Sequence, residues 1–345
     1  DVEHKTLGEG NWKLKPQPVL KLMDRLDTTI KTKLEDLREV IHEGIITGDN
    51  TIFFVDDNTI KSKRLESGIL KRVPKGRDVR KWKIIWNDRW LIYPQQTDGT
   101  PVTESEFKTA FPNAYHYLEV NKDELSNRRY YGKTVVQLFG CWYSLIHPKP
   151  ENAFEGIKIV TPNLSKENNF ALDKENYYFD HDTYSIILKD KSESFNKLVL
   201  GLLNSDLLEF YLKQISPYAS GKYYRYMTGY LEKLPIKLPE TEEEKRIAKQ
   251  IVSKVDEILE LNRKLSVDID ELLKREETEK LSYLASVSFS MRDDAKFERV
   301  EVKGDKIFVN SGDYVEIKDK RIRDFVIVYL NFVAEKLSKS KDVRG

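Results

Sequence analysis

The sequence predicts an α+β protein with a mostly β central domain that has long loops, long helices on both sides, and a small C-terminal α/β appendage. Three observations support this class. Apolar residues recur at spacings of three and four from residue 19 to 41, the period of an amphipathic helix. Between 45 and 240, short apolar runs of period two are separated by turn residues, which indicates strands. Residues 240–282 contain no glycine or proline and fit a heptad.

Residues 1–43 are interpreted as an irregular lead-in, which contains Trp12, followed by a helix from 19 to 43. Gly44 is its predicted end, because glycine commonly stops a helix. The predicted helix places on one face the apolar residues Val19, Leu22, Met23, Leu26, Ile30, Leu34, Leu37 and Ile41.

The central domain is predicted to span residues 44–239. Its first predicted turn is formed by Gly48, Asp49 and Asn50, because glycine permits positive φ and the two polar side chains can bond their own backbone. One late helix is expected from 195 to 215, ended by a proline. Strands are predicted at 52–55, 83–86, 90–93, 135–139, 157–160 and 184–188.

Residues 240–282 are predicted to form a long helical spacer. Its apolar seam needs a partner helix in this chain or another, and the helix at 19–43 is the obvious internal partner. A coiled-coil interaction subunit is therefore one alternative function. The appendage is predicted to cover 283–345, with strands at 297–302, 306–309 and 314–317 and a helix at 321–337.

Composition limits the possible classes. The chain has 345 residues, with 58 Lys and Arg against 57 Asp and Glu, so its net charge of +1 says little and only local clusters can indicate a nucleic-acid partner. The single cysteine, Cys141, cannot form an internal disulfide, and no apolar run reaches the roughly 18 residues of a membrane span. We therefore expect a cytoplasmic protein with no membrane partner. Because it begins with Asp1 rather than Met, we expect a fragment of something longer.

Motifs for nucleotide and zinc binding are absent from the sequence. Residues 180–182, Asp-His-Asp, could hold a metal ion, but an ordinary loop before the next strand explains them as well. Residues 301–303 and 316–318 both read E-x-K, a pattern that with a nearby Asp binds Mg²⁺ in nucleases, or that forms the charged face of a hairpin. We assign no catalytic or metal-binding residue, and a Mg-dependent nuclease remains an alternative function.

Three clusters that mix cations with aromatic residues give a stronger signal, and all three lie on turn-rich segments of the central domain. Arg and Lys contact phosphates, Arg also binds guanine through two hydrogen bonds, and Tyr donates to phosphate. An ion pair with Asp78 is the alternative role for one of these arginines, Arg77. The predicted DNA-binding residues are Arg72, Lys75, Arg77, Arg80 and Lys81, then Arg128, Arg129 and Lys133, and finally Lys222, Tyr224 and Arg225.

The order of motifs carries a family resemblance. Residues 44–53 read G-I-I-T-G-D-N-T-I-F and match a G-I-x-T-G-x-N-x-x-F signature, whose turn positions are Gly44, Thr47, Gly48 and Asn50. Residues 72–82 are similar to a loop that reads P-x-x-x-G-R-D-I-x-x-Y, with a shorter spacing between the proline and the glycine. With these motifs, residues 12–240 resemble the TaqI-like C-terminal specificity domain of type II restriction-modification enzymes and, more distantly, type I specificity subunits.

The resemblance implies sequence-specific recognition of double-stranded DNA, which a separate domain then methylates at adenine N6 or cleaves. The methylation signatures N-P-P-Y and D-P-P-Y are absent, so this chain alone is not expected to be an enzyme. Its expected partners are double-stranded DNA and a methyltransferase or nuclease domain, which precedes Asp1 or sits on another subunit. S-adenosylmethionine and Mg²⁺ are expected only for those missing domains.

The signature turn has two possible roles. Thr47 and Asn50 either contact DNA, or Asn50 locks the turn and never touches DNA. The second role is preferred, because Gly, Asp and Asn are the residues that a tight turn itself requires. The basic loops are then the part of the domain that we expect to read DNA.

Overall fold

The computed structural model describes residues 15–219, 222–265, 300–309 and 313–316, together with Arg323 and Ile327. Small antiparallel sheets and many helices confirm the α+β class. The chain divides into two compact units, Asp1–Glu260 and Leu261–Gly345. No helix among the described residues is both long enough and apolar enough to cross a membrane.

The helices of the described residues are α1 (Gln17–Thr29), α2 (Leu34–Leu37), α3 (Asn50–Phe53), α4 (Asp57–Lys63), α5 (Glu104–Ala110), α6 (Pro112–Glu119), α7 (Lys122–Asn127), α8 (Val135–Phe139), α9 (Glu193–Leu203), α10 (Asp206–Ile215), α11 (Thr228–Leu231) and α12 (Glu242–Leu265). The strands are β1 (Arg38–Glu43), β2 (Phe54–Val55), β3 (Leu70–Arg72), β4 (Val79–Arg80), β5 (Lys83–Ile84), β6 (Trp90–Ile92), β7 (Arg129–Tyr130), β8 (Lys133–Thr134), β9 (Lys158–Pro162), β10 (Leu164–Ser165), β11 (Ala171–Asp173), β12 (Thr183–Leu188), β13 (Tyr218–Ala219), β14 (Tyr223–Arg225), β15 (Val300–Lys303), β16 (Lys306–Val309) and β17 (Asp313–Glu316).

The central element of the first unit is an antiparallel sheet with strand order β1-β12-β9-β11. Every residue of β9 and β12 is buried. One apolar cluster includes Ile159 and Ile186 with residues of α9 and α10, and a second includes Val160 with residues of α5 and α6. The two inner strands are therefore covered on both faces, so that even their polar residues, such as Lys158 and Thr161, are buried.

The helix predicted from 19 to 43 is wrong in its second half. It ends at Thr29, a single short turn covers 34–37, and 38–43 form strand β1. This strand pairs with β12 from Arg38 opposite Leu188 to Glu43 opposite Tyr184. The hydrogen bonds to a partner about 150 residues later in the sequence outweigh a local apolar spacing that also suits a helix.

The strand predicted at 135–139 is wrong and the one predicted at 52–55 is wrong in its first half, because capping residues start helices there. Thr134 caps α8, where its hydroxyl accepts a hydrogen bond from the Gln137 N–H (3.2 Å) and Gln137 bonds back to the Thr134 N–H (2.8 Å). Residues 52–55 divide between α3 and β2. The late helix is two helices, since Ser205 caps α10. Helices α5–α7 were not predicted, so residues 44–239 are more helical than expected.

Helix α12 begins at Glu242, within the segment predicted to be a helical spacer, whereas 266–282 lie outside the described residues. Its apolar face packs inside the chain against α9, since a Cβ on Gly201 would lie 2.7 Å from Cγ2 of Ile251. Lys197 of α9 also forms an ion pair with Asp256 of α12. The internal partner that these contacts show is α9, whereas the helix predicted near the N-terminus shares one apolar cluster with Val255 of α12.

The second unit contains the antiparallel sheet β15-β16-β17, which agrees with the three strands predicted for the appendage. Lys306 pairs with Lys303 on one side and with Glu316 on the other. Of the helix predicted at 321–337, only Arg323 and Ile327 are described, and both are helical. One of the two E-x-K patterns ends at residue 318, outside the described residues.

Candidate nucleic-acid interface

The first basic segment, residues 72–81, folds into a short loop that is attached to the rest of the domain through Asp182. Gly76–Asp78 form one turn of 3-10 helix, and β4 then pairs with β5. The Gly76 N–H donates to the Asp182 carboxylate (2.9 Å). A Cβ on Gly76 would lie 2.7 Å from the Asp182 carbonyl oxygen, so only glycine fits this close approach. The loop is thereby fixed to the residue that precedes strand β12.

Arg77 and Arg80 project from this loop and are exposed. The carboxylate of Asp78 accepts a hydrogen bond from the Lys75 N–H (3.0 Å) instead of pairing with Arg77. Within the part of the chain that the structure describes, neither guanidinium has an ion-pair or hydrogen-bond partner. Both side chains are therefore available to an anionic ligand.

These two arginines border a cleft of about 540 Å³. The cleft joins the first basic segment to the third, because β10 pairs with β14 and places Leu164 opposite Arg225. The ammonium group of Lys166 lies 5.1 Å from the centre of the Tyr223 ring. The lining residues are Gly76, Arg77, Arg80, Pro162, Asn163, Leu164, Ser165, Lys166, Glu167, Asn169, His181, Asp182 and Tyr223.

The third basic segment, residues 222–225, contains strand β14, and the side chains of Tyr223 and Tyr224 lie on opposite sides of this strand. Tyr223 lines the cleft, whereas the ring of Tyr224 packs at 4.7 Å from the ring of Tyr218. A hydrogen bond with Tyr218, together with partial burial, raises the pKa of Tyr224 to about 12. Lys222 and Arg225 are exposed, and neither lines the cleft. The alternation of a strand identifies Tyr223 as the cleft residue that the sequence prediction omitted.

The remaining residues of the first segment are partly used inside the protein. The guanidinium of Arg72 lies 4.8 Å from the centre of the Tyr177 ring and donates to the Glu175 carbonyl (2.9 Å). Lys75 and Lys81 are half-buried, and the Lys81 N–H donates to the Asn169 side chain (2.9 Å). None of the three borders the cleft.

The second basic cluster lies on another element, and its first member is not a surface residue. Arg128 is buried, and its guanidinium donates to the backbone carbonyls of Leu125, Thr47, Trp142 and Ser144. Burial lowers the pKa of Arg128 to about 10, which leaves it charged at neutral pH. The prediction that Arg128 binds DNA is wrong, because every donor group faces the protein interior.

The other two members, Arg129 and Lys133, are exposed on the hairpin formed by β7 and β8. Arg129 also donates to the Gly132 carbonyl (3.1 Å). The tip of this hairpin is Tyr131, which is 90% exposed. Tyr131 is not among the predicted DNA-binding residues, although it lies between the predicted cations.

The signature turn bonds within the protein. Gly48 has a φ of +81°, and the Thr47 hydroxyl donates to the Asn50 carboxamide oxygen (2.6 Å). Asn50 in turn donates to the Asp180 carboxylate (3.3 Å). A Cβ on Gly44 would lie 2.2 Å from the Asp180 carbonyl oxygen, so this position also requires glycine. The turn therefore packs directly against the segment that leads into the cleft.

Residues 180–182 connect the signature turn to the cleft. Burial by itself raises the pKa of Asp180, but hydrogen bonds from His181 and Arg89 outweigh it, so that the pKa is lowered. The same bond from Asp180 raises the pKa of His181, which lines the cleft. Burial raises the pKa of Asp182. No group of three metal-binding side chains is found in the described residues, and both carboxylates bond to protein groups.

Comparisons with known proteins give a family match. Residues 71–236 match the family model of the TaqI-like C-terminal specificity domain. The type II methyltransferase M.BstVI of Geobacillus stearothermophilus is 23% identical over 235 residues, which cover 68% of this chain and 39% of that protein. The type II methyltransferase M.BanIII of Aneurinibacillus aneurinilyticus is 27% identical over 169 residues, 46% of this chain and 27% of that protein.

Two solved structures are also similar. The type IIL restriction-modification enzyme MmeI, in complex with DNA, aligns with a TM-score of 0.47 at 13% identity, over 64% of this chain and 28% of that one. The type IIG restriction endonuclease BpuSI aligns with a TM-score of 0.46 at 10% identity, over 70% of this chain and 28% of that one. The chain thus spans less than half the length of the four proteins named here.

Proposed function

We propose, on the premise that residues 71–236 are a TaqI-like C-terminal specificity domain, that the chain recognises a sequence in double-stranded DNA for a type II restriction-modification enzyme. One observation carries this proposal. Arg77 and Arg80 are exposed, without a protein partner among the described residues, at the edge of a cleft that also contains Lys166 and Tyr223. Such a set suits the phosphates and base edges of a duplex.

The cleft offers groups for both kinds of contact. A guanidinium donates two hydrogen bonds to guanine or to a phosphate, whereas an asparagine side chain donates one hydrogen bond to N7 of adenine and accepts one from its N6 amino group. The carboxamide oxygen of Asn163 is buried and has no hydrogen-bond donor among the described residues, while the backbone of Asn163 bonds to the backbone of Asp182 and Tyr226. Asn163 lines the cleft, and its carboxamide is our candidate for reading an adenine, a contact for which the side chain has to turn its unsatisfied oxygen toward the cleft.

The reaction itself belongs to another domain in this proposal. The matched relatives are named as type II methyltransferases, whereas the 345 residues contain no N-P-P-Y or D-P-P-Y. The chain would position DNA for an adenine-N6 methyltransferase domain or subunit, which would bind S-adenosylmethionine, and any nuclease domain would bring the Mg²⁺. Incubation of the chain with plasmid and Mg²⁺ should leave the DNA intact, and nicking would favour the nuclease alternative instead.

The DNA-binding proposal is tested by changing Arg77 or Arg80 to Ala and measuring the binding of a random-sequence duplex by fluorescence anisotropy. The logarithm of affinity should fall with the logarithm of salt concentration, and each lost phosphate contact should reduce that slope by about 0.9. Arg25→Ala is the matched control, because Arg25 is an exposed arginine of helix α1. If both variants bind at low salt as tightly as the wild type, the cleft is not the DNA site.

Base reading needs a separate measurement. We would select preferred duplexes from a random pool with the wild-type chain and with Asn163→Ala. The variant should lose preference at one position of the selected sequence, at a cost of roughly 1–3 kcal/mol. An identical selected sequence would exclude Asn163 as a base-reading residue.

A further inference from the structure

We propose that Tyr131, at the tip of the β7–β8 hairpin, stacks on a nucleobase that has left the regular stack of the bound duplex. This inference rests on the proposed DNA-binding function. It assigns to the second basic segment a role that differs from the phosphate contacts expected of its cations.

The hairpin tip holds its tyrosine in an unusual backbone conformation. The loop has two residues, Tyr131 and Gly132, with φ of +48° and +82°. A two-residue hairpin of this kind needs positive φ at both positions, for which Asn-Gly is the common choice. A tyrosine is strained there, and although its ring lies 4.4 Å from the Tyr130 ring between centres, the residue is 90% exposed. Strain of this kind is concentrated at functional sites.

The foot of the hairpin is rigid. Arg128, which precedes strand β7, donates hydrogen bonds to three carbonyls on two other segments of the chain. The ring of Tyr130 stacks on His147, with ring centres 5.5 Å apart and an angle of 29° between the planes. Because both contacts fix the strand below the tip, the ring of Tyr131 is presented with little loss of freedom on binding.

The chemistry of the tip suits nucleic acid. Arg129 and Lys133 flank Tyr131, and both side chains are exposed, so cations stand on either side of the aromatic ring. An aromatic ring between cations can stack on a base while the cations contact the neighbouring phosphates. A protein partner would require a larger apolar surface, whereas a single exposed ring is enough for one base.

The hairpin is also close enough to the cleft for one duplex to contact both. Ile45 pairs with Asp180, beside the cleft, and Ile46 pairs with His147, on which the hairpin stacks. Neighbouring strands lie about 5 Å apart, so Asp180 and His147 are separated by roughly 10 Å, less than the width of a DNA major groove. A duplex bound at the cleft therefore reaches the hairpin.

The test compares two duplexes of one sequence, of which one has a central abasic site that leaves the opposite base unpaired. We expect the wild-type chain to bind the abasic duplex about tenfold more tightly, because the free base stacks on Tyr131. Tyr131→Asn should lose this preference, since asparagine tolerates the same backbone but has no ring. Tyr131→Phe should keep it.

The outcomes separate this inference from the proposed function. Arg77→Ala should weaken the binding of both duplexes equally and leave their ratio unchanged. Equal affinity of the wild type for both duplexes, or an unchanged preference in Tyr131→Asn, would overturn the role of Tyr131 while duplex binding stands. Absence of binding to either duplex would overturn both proposals.

Discussion

The buried arginine at the foot of the hairpin gives the sharpest test of how the domain is held together. Arg128 donates to four backbone carbonyls, and its guanidinium lies 4.8 Å from the centre of the Phe53 ring. Arg128→Met keeps much of the apolar volume but leaves those carbonyls without their donor. Each unsatisfied buried carbonyl costs about 1–3 kcal/mol, and water regains part of this loss. We expect a destabilisation of about 4 kcal/mol, in the range found when a buried charged group is removed.

The assay is denaturant unfolding followed by circular dichroism, with thermal unfolding in parallel. A loss of about 4 kcal/mol corresponds to a fall of roughly 10 °C in the melting temperature for a unit of this size. Arg129→Ala is the matched control, because the neighbouring arginine is exposed and its loss should change the stability by less than about 0.5 kcal/mol. Equal unfolding midpoints for the two variants would refute the structural role of Arg128.

Three further predictions follow from buried or close-packed groups. Asp173→Ala should destabilise the fold by about 3–5 kcal/mol in denaturant unfolding, because its lysine partner stays buried without a counter-charge. The hydrogen bond with Asp180 raises the pKa of His181 above 6.5, and the imidazole in the cleft gains its positive charge as pH falls through that pKa. DNA affinity, measured in anisotropy titrations, should therefore increase as pH falls. His181→Gln should show an affinity that does not change over the same pH range. Gly44→Ala should yield little folded protein, since its Cβ would meet a backbone oxygen at 2.2 Å, whereas Gly229→Ala meets no atom within 4 Å and should express normally.

The sequence predicts the buried strands better than it predicts the first part of the chain. The short runs predicted as strands at 157–160 and 184–188 correspond to strands Lys158–Pro162 and Thr183–Leu188. Residues 38–43 continue a helical spacing and yet form a strand, because their secondary structure depends on pairing with β12. The local pattern contains no information about that partner, so the prediction fails where a long-range contact decides.

The same limit explains which site residues could be predicted. Arg128 and Arg129 are adjacent and chemically identical, and the sequence assigned both to DNA. Only the carbonyls of 47, 142 and 144, brought together by the fold, show that the first is buried while the second is exposed. Likewise, the alternation of β14 decides that Tyr223 faces the cleft, a distinction that composition alone could not make.

The signature turn acts on the cleft without bordering it. Asn50 and Arg89 both bond the carboxylate of Asp180, whereas Asp182, two residues later, holds the loop that bears Arg77. A change at Asn50 should therefore reduce the stability and the DNA affinity together, because it moves the segment on which the basic loop rests. A change at Arg77 should reduce the affinity alone, since that side chain has no protein partner among the described residues to lose. This difference separates a residue that positions the cleft from one that touches DNA, even where both substitutions weaken binding.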